Sequence, residues 1–438
     1  MHLSQMRIGY TFICAISLTS VCLGLLYQIL ITRPILNGDK SHLILPSTSR
    51  PKSNRPVFSY RRTRVDINCS ALFDGVESEL LLGDSRWNIT SKQYVSDDVY
   101  IEETVDCDSF IVSRDYITSP LTEEEELFSI AYSLVVYKDA NQVERLLRTL
   151  YRPQNYYCIH MDVKSSPVFR RAISGVAKCF PNVFISSQSV SVKRKSYTVL
   201  QPDLICMEYL WKYRKWKYLI NVAGNEFPLR TNLEIVQILK TLNGSNHIQG
   251  IIKAANTNRW TGVGAAPHNI RPVKGSMHIV ASRGFVDYIL HDPVAHDFMN
   301  WTRHTDYPEE TFFPSLNYNP HLNVPGGFKG NLEENEQHLR FFGRFVNWVN
   351  WIHNTDKYKA DYACYGKIVH GICIFGVRDL PLIITRPELF VNKFYRYYQP
   401  YVMDCLEELL FNRSREDYFD KRTVNTDVYA KQYGWTGQ

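Results

Sequence analysis

Ten cysteines divide this chain of 438 residues into two chemical environments. Cys14 and Cys22 lie within an apolar run near the N-terminus, whereas Cys69, Cys107, Cys158, Cys179, Cys206, Cys364, Cys373 and Cys405 are spread over the rest. An even set of thiols downstream of a membrane segment reads as four disulfides formed in an oxidising lumen. The fold is therefore expected to close several long loops covalently.

The apolar run, Ile8 to Ile31, contains no charged residue and is flanked by Arg7 and Arg33. A stretch of about 20 apolar residues spans a bilayer as a helix. It is longer than the core of a secretory signal peptide and lacks a small-residue cleavage site, so residues 8–31 are expected to be an uncleaved signal anchor. Residues 1–7 are then a cytoplasmic tail, and the lipid bilayer is a partner through this helix. Residues 32–65 are rich in Ser, Thr, Pro, Lys and Arg, a composition that buries no core and reads as a stem. Part of the formal charge of +6 resides there, and a luminal domain has no use for a nucleic-acid partner. Five sequons, at Asn68, Asn88, Asn243, Asn300 and Asn412, suit a translocated chain, each being an acceptor only where it is exposed.

Residues 66–438 are expected to form the luminal catalytic domain. Its first part alternates in period. Ile130–Tyr137, Tyr156–Asp162, Val183–Ser186 and Tyr218–Gly224 read as strands. Between them, Ala140–Tyr151 carries Val143, Leu146, Leu147 and Leu150 at helical spacing, and 166–176 and 200–210 also read as helices. This alternation predicts an α/β fold with a mostly parallel sheet, in which ligands bind beyond the C-terminal strand ends. Attention falls on Tyr137, Lys138, Asp162, Val163, Lys164 and the loop from Val192 to Tyr197.

The chain has no P-loop, no G-x-G-x-x-G after a strand, no H-E-x-x-H and no G-x-S-x-G. Asp106-Cys107-Asp108 has the form of a D-x-D metal motif, but it precedes the first sheet strand and surrounds a cysteine. No metal and no cofactor are expected.

Three segments carry a family resemblance: Leu146 to Lys164 (LLRTLYRPQNYYCIHMDVK), Trp216 to Ile235 (WKYLINVAGNEFPLRTNLEI), and Cys373–Gly376 with Leu389–Phe394. From about Cys69 to Cys405 the chain resembles the core 2 β-1,6-N-acetylglucosaminyltransferase family (glycosyltransferase family 14). The resemblance implies a type II Golgi membrane protein with a GT-A-type nucleotide-sugar fold that inverts the donor's anomeric centre without a metal. UDP-GlcNAc would be the donor and Galβ1-3GalNAc of mucin-type O-glycans on glycoproteins the acceptor. Such chemistry needs one general base for the acceptor's 6-hydroxyl. The family's base falls on Glu310, in Tyr307-Pro-Glu-Glu-Thr-Phe-Phe313, although Pro308-Glu309-Glu310 also has the composition of an ordinary helix start.

A metal-free enzyme needs fixed cations on the leaving diphosphate. The family uses an arginine and a lysine; the lysine matches Lys393, but His370 stands at the arginine position, with Arg378 and Arg386 as nearby substitutes. Donor contacts carried over are Val135, Val136, Tyr137, Asp162, Val163 and Lys164, with Arg194 at a family tyrosine. On the acceptor side Arg259 and Trp348 match, Gln249 stands at an acidic position, and Asn256 and Asn350 replace a lysine and a tyrosine. The cystine pattern implied is Cys69–Cys405, Cys107–Cys179, Cys158–Cys206 and Cys364–Cys373. A homodimer is also compatible with the resemblance. Two alternatives accompany this reading: the same chemistry with UDP-glucose or UDP-xylose, which His370 and Arg194 suggest, and a catalytically silent, membrane-anchored glycan-binding protein that keeps the fold and cystines.

Overall fold

The computed structural model describes residues 66–90, 95–352, 357–360 and 362–433. The expected anchor at 8–31, the tail before it and the stem to residue 65 lie outside the described residues. Among the described residues no helix is long and apolar enough to cross a membrane.

The centre of the molecule is a six-stranded sheet. Its strands are β1 (Ser129–Val136), β2 (Tyr156–Met161), β3 (Val183–Ile185), β4 (Trp216–Ala223), β6 (His247–Ile248) and β7 (Ile279–Ser282); the short β5 (Glu226–Pro228) belongs to a second sheet. Spatial order is β3-β2-β1-β4-β7-β6. The four strands from β3 to β4 are parallel, and β7 and β6 add an antiparallel edge. The strands read from sequence are those observed, to within two residues; β1, β2 and most of β4 are buried on both faces and so read as largely apolar runs, whereas the short edge strand β3 is only partly buried. Register pairs Val136 with Met161, and Val135 with Ala223, so β1, β2 and β4 end at one level.

Helix Ala140–Leu150 covers one face. Its predicted stripe, Val143, Leu146, Leu147 and Leu150, is buried in the sheet core with Phe169 and Ile173 of helix Pro167–Lys178. The opposite side of the same helix is also covered, by charge. Arg145 pairs with Asp404 and Glu407 at 2.8 and 2.7 Å, and Arg148 with Glu407 at 2.7 Å, tying it to helix Tyr401–Tyr418.

A second core gathers Ile67, Phe227, Phe345, Phe375, Val391 and Tyr401 around β13 (Phe390–Asn392), which pairs antiparallel with β5 on one side and parallel with β8 (Arg344–Val346) on the other. Between β8 and β13 in sequence lie β9 (Val349–Ile352), β10 (Lys357–Ala360) and the hairpin of β11 (Lys367–Val369) with β12 (Ile372–Ile374). The disulfides join Cys69 to Cys405, Cys107 to Cys179, Cys158 to Cys206 and Cys364 to Cys373, the pattern the resemblance implies.

Asp106 of the D-x-D-like triplet caps a helix, accepting from the Ser109 backbone N–H and hydroxyl, and Cys107 is oxidised. The triplet is thus taken up by local structure. Of the sequons, Asn68, Asn243 and Asn300 are exposed. The side chain of Asn88 lies outside the described ones. Asn412 is a correction: it is only 6% exposed within helix Tyr401–Tyr418, where packing leaves no room for a glycan.

Candidate active site

Where β1, β2 and β4 end, the chain builds a small polar shelf. The Val135 carbonyl accepts from Gly224 N–H, and the Val136 carbonyl from Asp162 N–H, each at 3.0 Å. Asp162 is buried, and its carboxylate accepts from the backbone N–H of Lys164 at 2.8 Å and of Val192 at 3.2 Å. The Lys164 ammonium donates to the Val192 carbonyl at 2.6 Å and lies 5.7 Å from the centre of the Tyr137 ring. Val163 is exposed, and its N–H donates to the Val190 carbonyl. Six expected donor residues, Val135, Val136, Tyr137, Asp162, Val163 and Lys164, thus share one corner. The Asp162 carboxylate serves first to fix the loop after β3.

Lys393 arrives from the other sheet. β13 lies antiparallel to β5, the Phe394 N–H donates to the Asn225 carbonyl at 2.8 Å, and Gly224 next to it is bonded to the end of β1. Asn392 donates to the buried Glu226 carboxylate at 2.8 Å; Arg344 sits on the other oxygen at 3.1 Å. Burial, and then the nearby Arg194 guanidinium, hold the Lys393 ammonium below its usual range.

Glu310 stands beyond the antiparallel edge. Pro308–Glu310 forms a single 3₁₀ turn, entered through Tyr307 in the left-handed region (φ 55°, ψ 59°), an uncommon conformation for a bulky residue. The Glu310 carbonyl accepts from Gly275 N–H at 2.8 Å. Gly275 must lack a side chain, since an added Cβ would lie 2.1 Å from the Gln249 carbonyl oxygen. Arg259 holds Glu310 Oε2 at 2.9 Å, and the neighbouring Trp260 indole donates to the Thr311 hydroxyl at 3.0 Å. The Glu310 side chain keeps about a quarter of its surface in solvent (27%), whereas Glu309 is 6% exposed with Oε2 unpartnered. Burial and then the adjacent Glu310 push the Glu309 carboxyl up to about 7, with a backbone hydrogen bond and Arg259 opposing. Of the two, only Glu310 is open to an incoming hydroxyl, and a general base needs reach before it needs a suitable pKa.

Two side chains enter that the sequence did not single out for the site. Lys274, whose carbonyl accepts from Ile251 N–H, is close enough to Glu310 for the carboxylate to favour its ammonium, though burial lowers its pKa overall. Tyr307 receives three cations on its ring, Arg259 at 5.2 Å, Lys195 at 5.5 Å and Arg194 at 6.0 Å from the centroid. Both gain their place through long-range contacts, for which the local pattern holds no signal beyond the loop positions themselves.

Other expected residues are placed less centrally. Gln249 is half-buried and borders Glu310 through Gly275. Trp348 is 49% exposed and bridges to Ile372 of the hairpin. His370 is exposed in the two-residue turn between β11 and β12, where it and Gly371 both have positive φ (52° and 76°). The Phe375 N–H, at the far end of β12 from the turn, donates to the Lys393 carbonyl. The turn adjoins the Trp348–Ile372 bridge, and no described contact joins His370 to Lys393. Arg378 is committed to Glu77 and Asp84, and Arg386 to Glu388 and the Tyr362 hydroxyl. Neither is free to take the missing arginine's place. The side chains of Asn350 and Trp351 lie outside the described ones.

The site thus comprises a polar shelf at parallel strand ends and a solvent-open carboxylate held by an arginine. Residues 130–383 match the family model of the Core-2/I-Branching enzyme. A β-1,3-galactosyl-O-glycosyl-glycoprotein β-1,6-N-acetylglucosaminyltransferase of Bos taurus is 37% identical over 334 residues, covering 72% of this chain and 78% of the relative. That of Homo sapiens is 34% identical over 371 residues (80% and 86%), and transferase 4 of Mus musculus 35% over 395 residues (84% of each). The chain belongs to the Core-2/I-branching enzyme family, and it is a glycosyltransferase.

Proposed function

We propose that this chain is an inverting, metal-independent β-1,6-N-acetylglucosaminyltransferase that moves GlcNAc from UDP-GlcNAc to Galβ1-3GalNAc of mucin-type O-glycans. The observation that carries the reading is the Glu310–Arg259 pair, a carboxylate held by one oxygen and otherwise open to solvent. In the reaction Glu310 takes the proton of the acceptor's 6-hydroxyl as that oxygen attacks C1 of the donor sugar. The C1–O bond to the diphosphate breaks on the opposite face, and its electron pair leaves with UDP. One displacement inverts the centre. Arg259 fixes the carboxylate, so the reacting atoms meet in one geometry. Lys393 faces the leaving diphosphate, where fixed positive charge stabilises the transition state. Val135, Val136, Tyr137, Asp162, Val163 and Lys164 seat the nucleotide; Gln249, Arg259 and Trp348 meet the acceptor. Among the described residues no three His, Cys, Asp or Glu side chains converge as a metal-ligand set; the cations are the charge compensation this reading relies on. Residues 8–31 would anchor the enzyme in the Golgi membrane with its catalytic domain in the lumen, where the disulfides form.

The test incubates the detergent-solubilised full chain with Galβ1-3GalNAc and UDP-GlcNAc, UDP-glucose or UDP-xylose, each with and without EDTA. Transfer from UDP-GlcNAc undiminished by EDTA is expected. Preference for UDP-glucose or UDP-xylose would replace the donor, and loss of activity in EDTA would overturn the metal-free mechanism.

A further inference from the structure

The loop after β3 is pinned to the donor shelf at several points. Val190 N–H donates to His160 Nε2 at 3.0 Å, Val192 N–H to the Asp162 carboxylate, and Lys193 N–H to the Thr198 hydroxyl at 2.8 Å. Arg194 and Lys195 follow at once, with Lys195 in the left-handed region (φ 64°). Their side chains have different fates. Lys195 pairs with Asp306 at 3.5 Å. Arg194 has no carboxylate within ion-pair distance among the described residues. It lies instead over the Tyr307 ring, whose other cations include the Arg259 that holds Glu310. Arg194 also approaches Lys393 closely enough to disfavour the ammonium.

Like charges that approach without a described ion pair to a carboxylate on either repel, and such a pair is satisfied when an anion enters. The loop that carries Arg194 is bonded to Asp162 of the shelf, and its guanidinium lies over Tyr307, three residues before Glu310, so Arg194 links the shelf to the Glu310 turn, on the path proposed for the diphosphate of a UDP-sugar. We propose that Arg194 is the second cation on the donor diphosphate, acting with Lys393, and that Tyr307 is the positioning residue that aims its guanidinium. This deepens the proposed function and rests on it. A planar guanidinium grips two phosphate oxygens at once, which an ammonium cannot. The π face of Tyr307 steers the cation without neutralising it, as a carboxylate would.

The test titrates the solubilised full chain with UDP, UMP and uridine, and measures kcat with the best donor. Arg194→Ala is expected to weaken UDP about 10- to 100-fold and to leave uridine within about 2-fold, because only the phosphates lose a charged hydrogen-bond partner. Arg194→Lys should recover part of the loss, keeping the charge without the fork. Tyr307→Ala should lower UDP affinity less than Arg194→Ala, and should have little effect once Arg194 is already Ala. A thermal melt with intact disulfides checks the fold of each variant. Unchanged UDP affinity and kcat in Arg194→Ala would overturn the assignment, as would equal weakening of UDP and uridine. A wild-type chain that binds no UDP would instead overturn the nucleotide-sugar reading, and this inference with it.

Discussion

At Glu309 a carboxyl group is buried beside a second carboxylate with one oxygen unpartnered, and its pKa rises from 4.5 to about 7. A raised acid pKa means that the folded state prefers the neutral form. Its contribution to stability is full below about pH 4.5 and is lost as pH climbs through about 7, amounting to roughly 3 kcal/mol once ionisation is complete. Glu309→Gln removes the ionisation but keeps the shape. Thermal melts of the two proteins are therefore expected to converge near pH 5 and to separate at pH 8, with the variant melting higher. Equal melting temperatures at pH 8 would mean that Glu309 is solvated or paired. Glu310, one residue on, differs in having Arg259 and an opening to solvent. Sequence alone held both carboxylates in an unremarkable helix start. The choice of Glu310 came from resemblance, and the difference in access is a tertiary property supplied by Arg259, Gly275 and the left-handed Tyr307.

Among the elements, the helix Ala140–Leu150 shows what a sequence pattern reveals and what it hides. Its apolar stripe is readable at a spacing of three and four residues, and so are the continuous apolar strands it covers. Its charged positions look like a solvated face, yet Arg145 and Arg148 are buried against Glu407 from a helix more than 250 residues later in the chain. Glu407→Gln leaves two buried guanidinium groups short of countercharge, and removing one partner of a buried pair costs about 3–5 kcal/mol. Chemical denaturation should show a loss of that order. A loss below about 1 kcal/mol would mark the pair as effectively solvated. The strands β8 to β13 are three or four residues each, too short for a period of two to stand out, and their pairing joins segments far apart in sequence. For the same reason the hairpin that places His370 in an exposed turn was not legible from the local pattern.

For the whole molecule, the cysteine division is the feature that sequence reading used most fully. The bridge between Cys69 and Cys405 spans 336 residues and ties the first described helix to the helix Tyr401–Tyr418; Cys364–Cys373 spans 9 and braces the hairpin. Replacing both Cys69 and Cys405 by serine is expected to cost about 2–5 kcal/mol, seen as a lower melting temperature. The Cys364–Cys373 bridge closes a much shorter loop, so its loss should cost less, with the larger effect on the acceptor side near Trp348. The reverse order of melting temperatures would contradict a loop-closure account.

All three scales meet in one claim: Glu310 is the base of a metal-free glycosyl transfer in which protein cations carry the leaving group. The most direct measurement is turnover of UDP-GlcNAc with Galβ1-3GalNAc in EDTA by wild type, Glu310→Gln and Glu309→Gln. The account predicts that wild type is active, that Glu310→Gln loses about 10²- to 10⁴-fold in kcat, and that Glu309→Gln retains most of its rate. A Glu310→Gln protein close to wild type, with Glu309→Gln inactive, would contradict it.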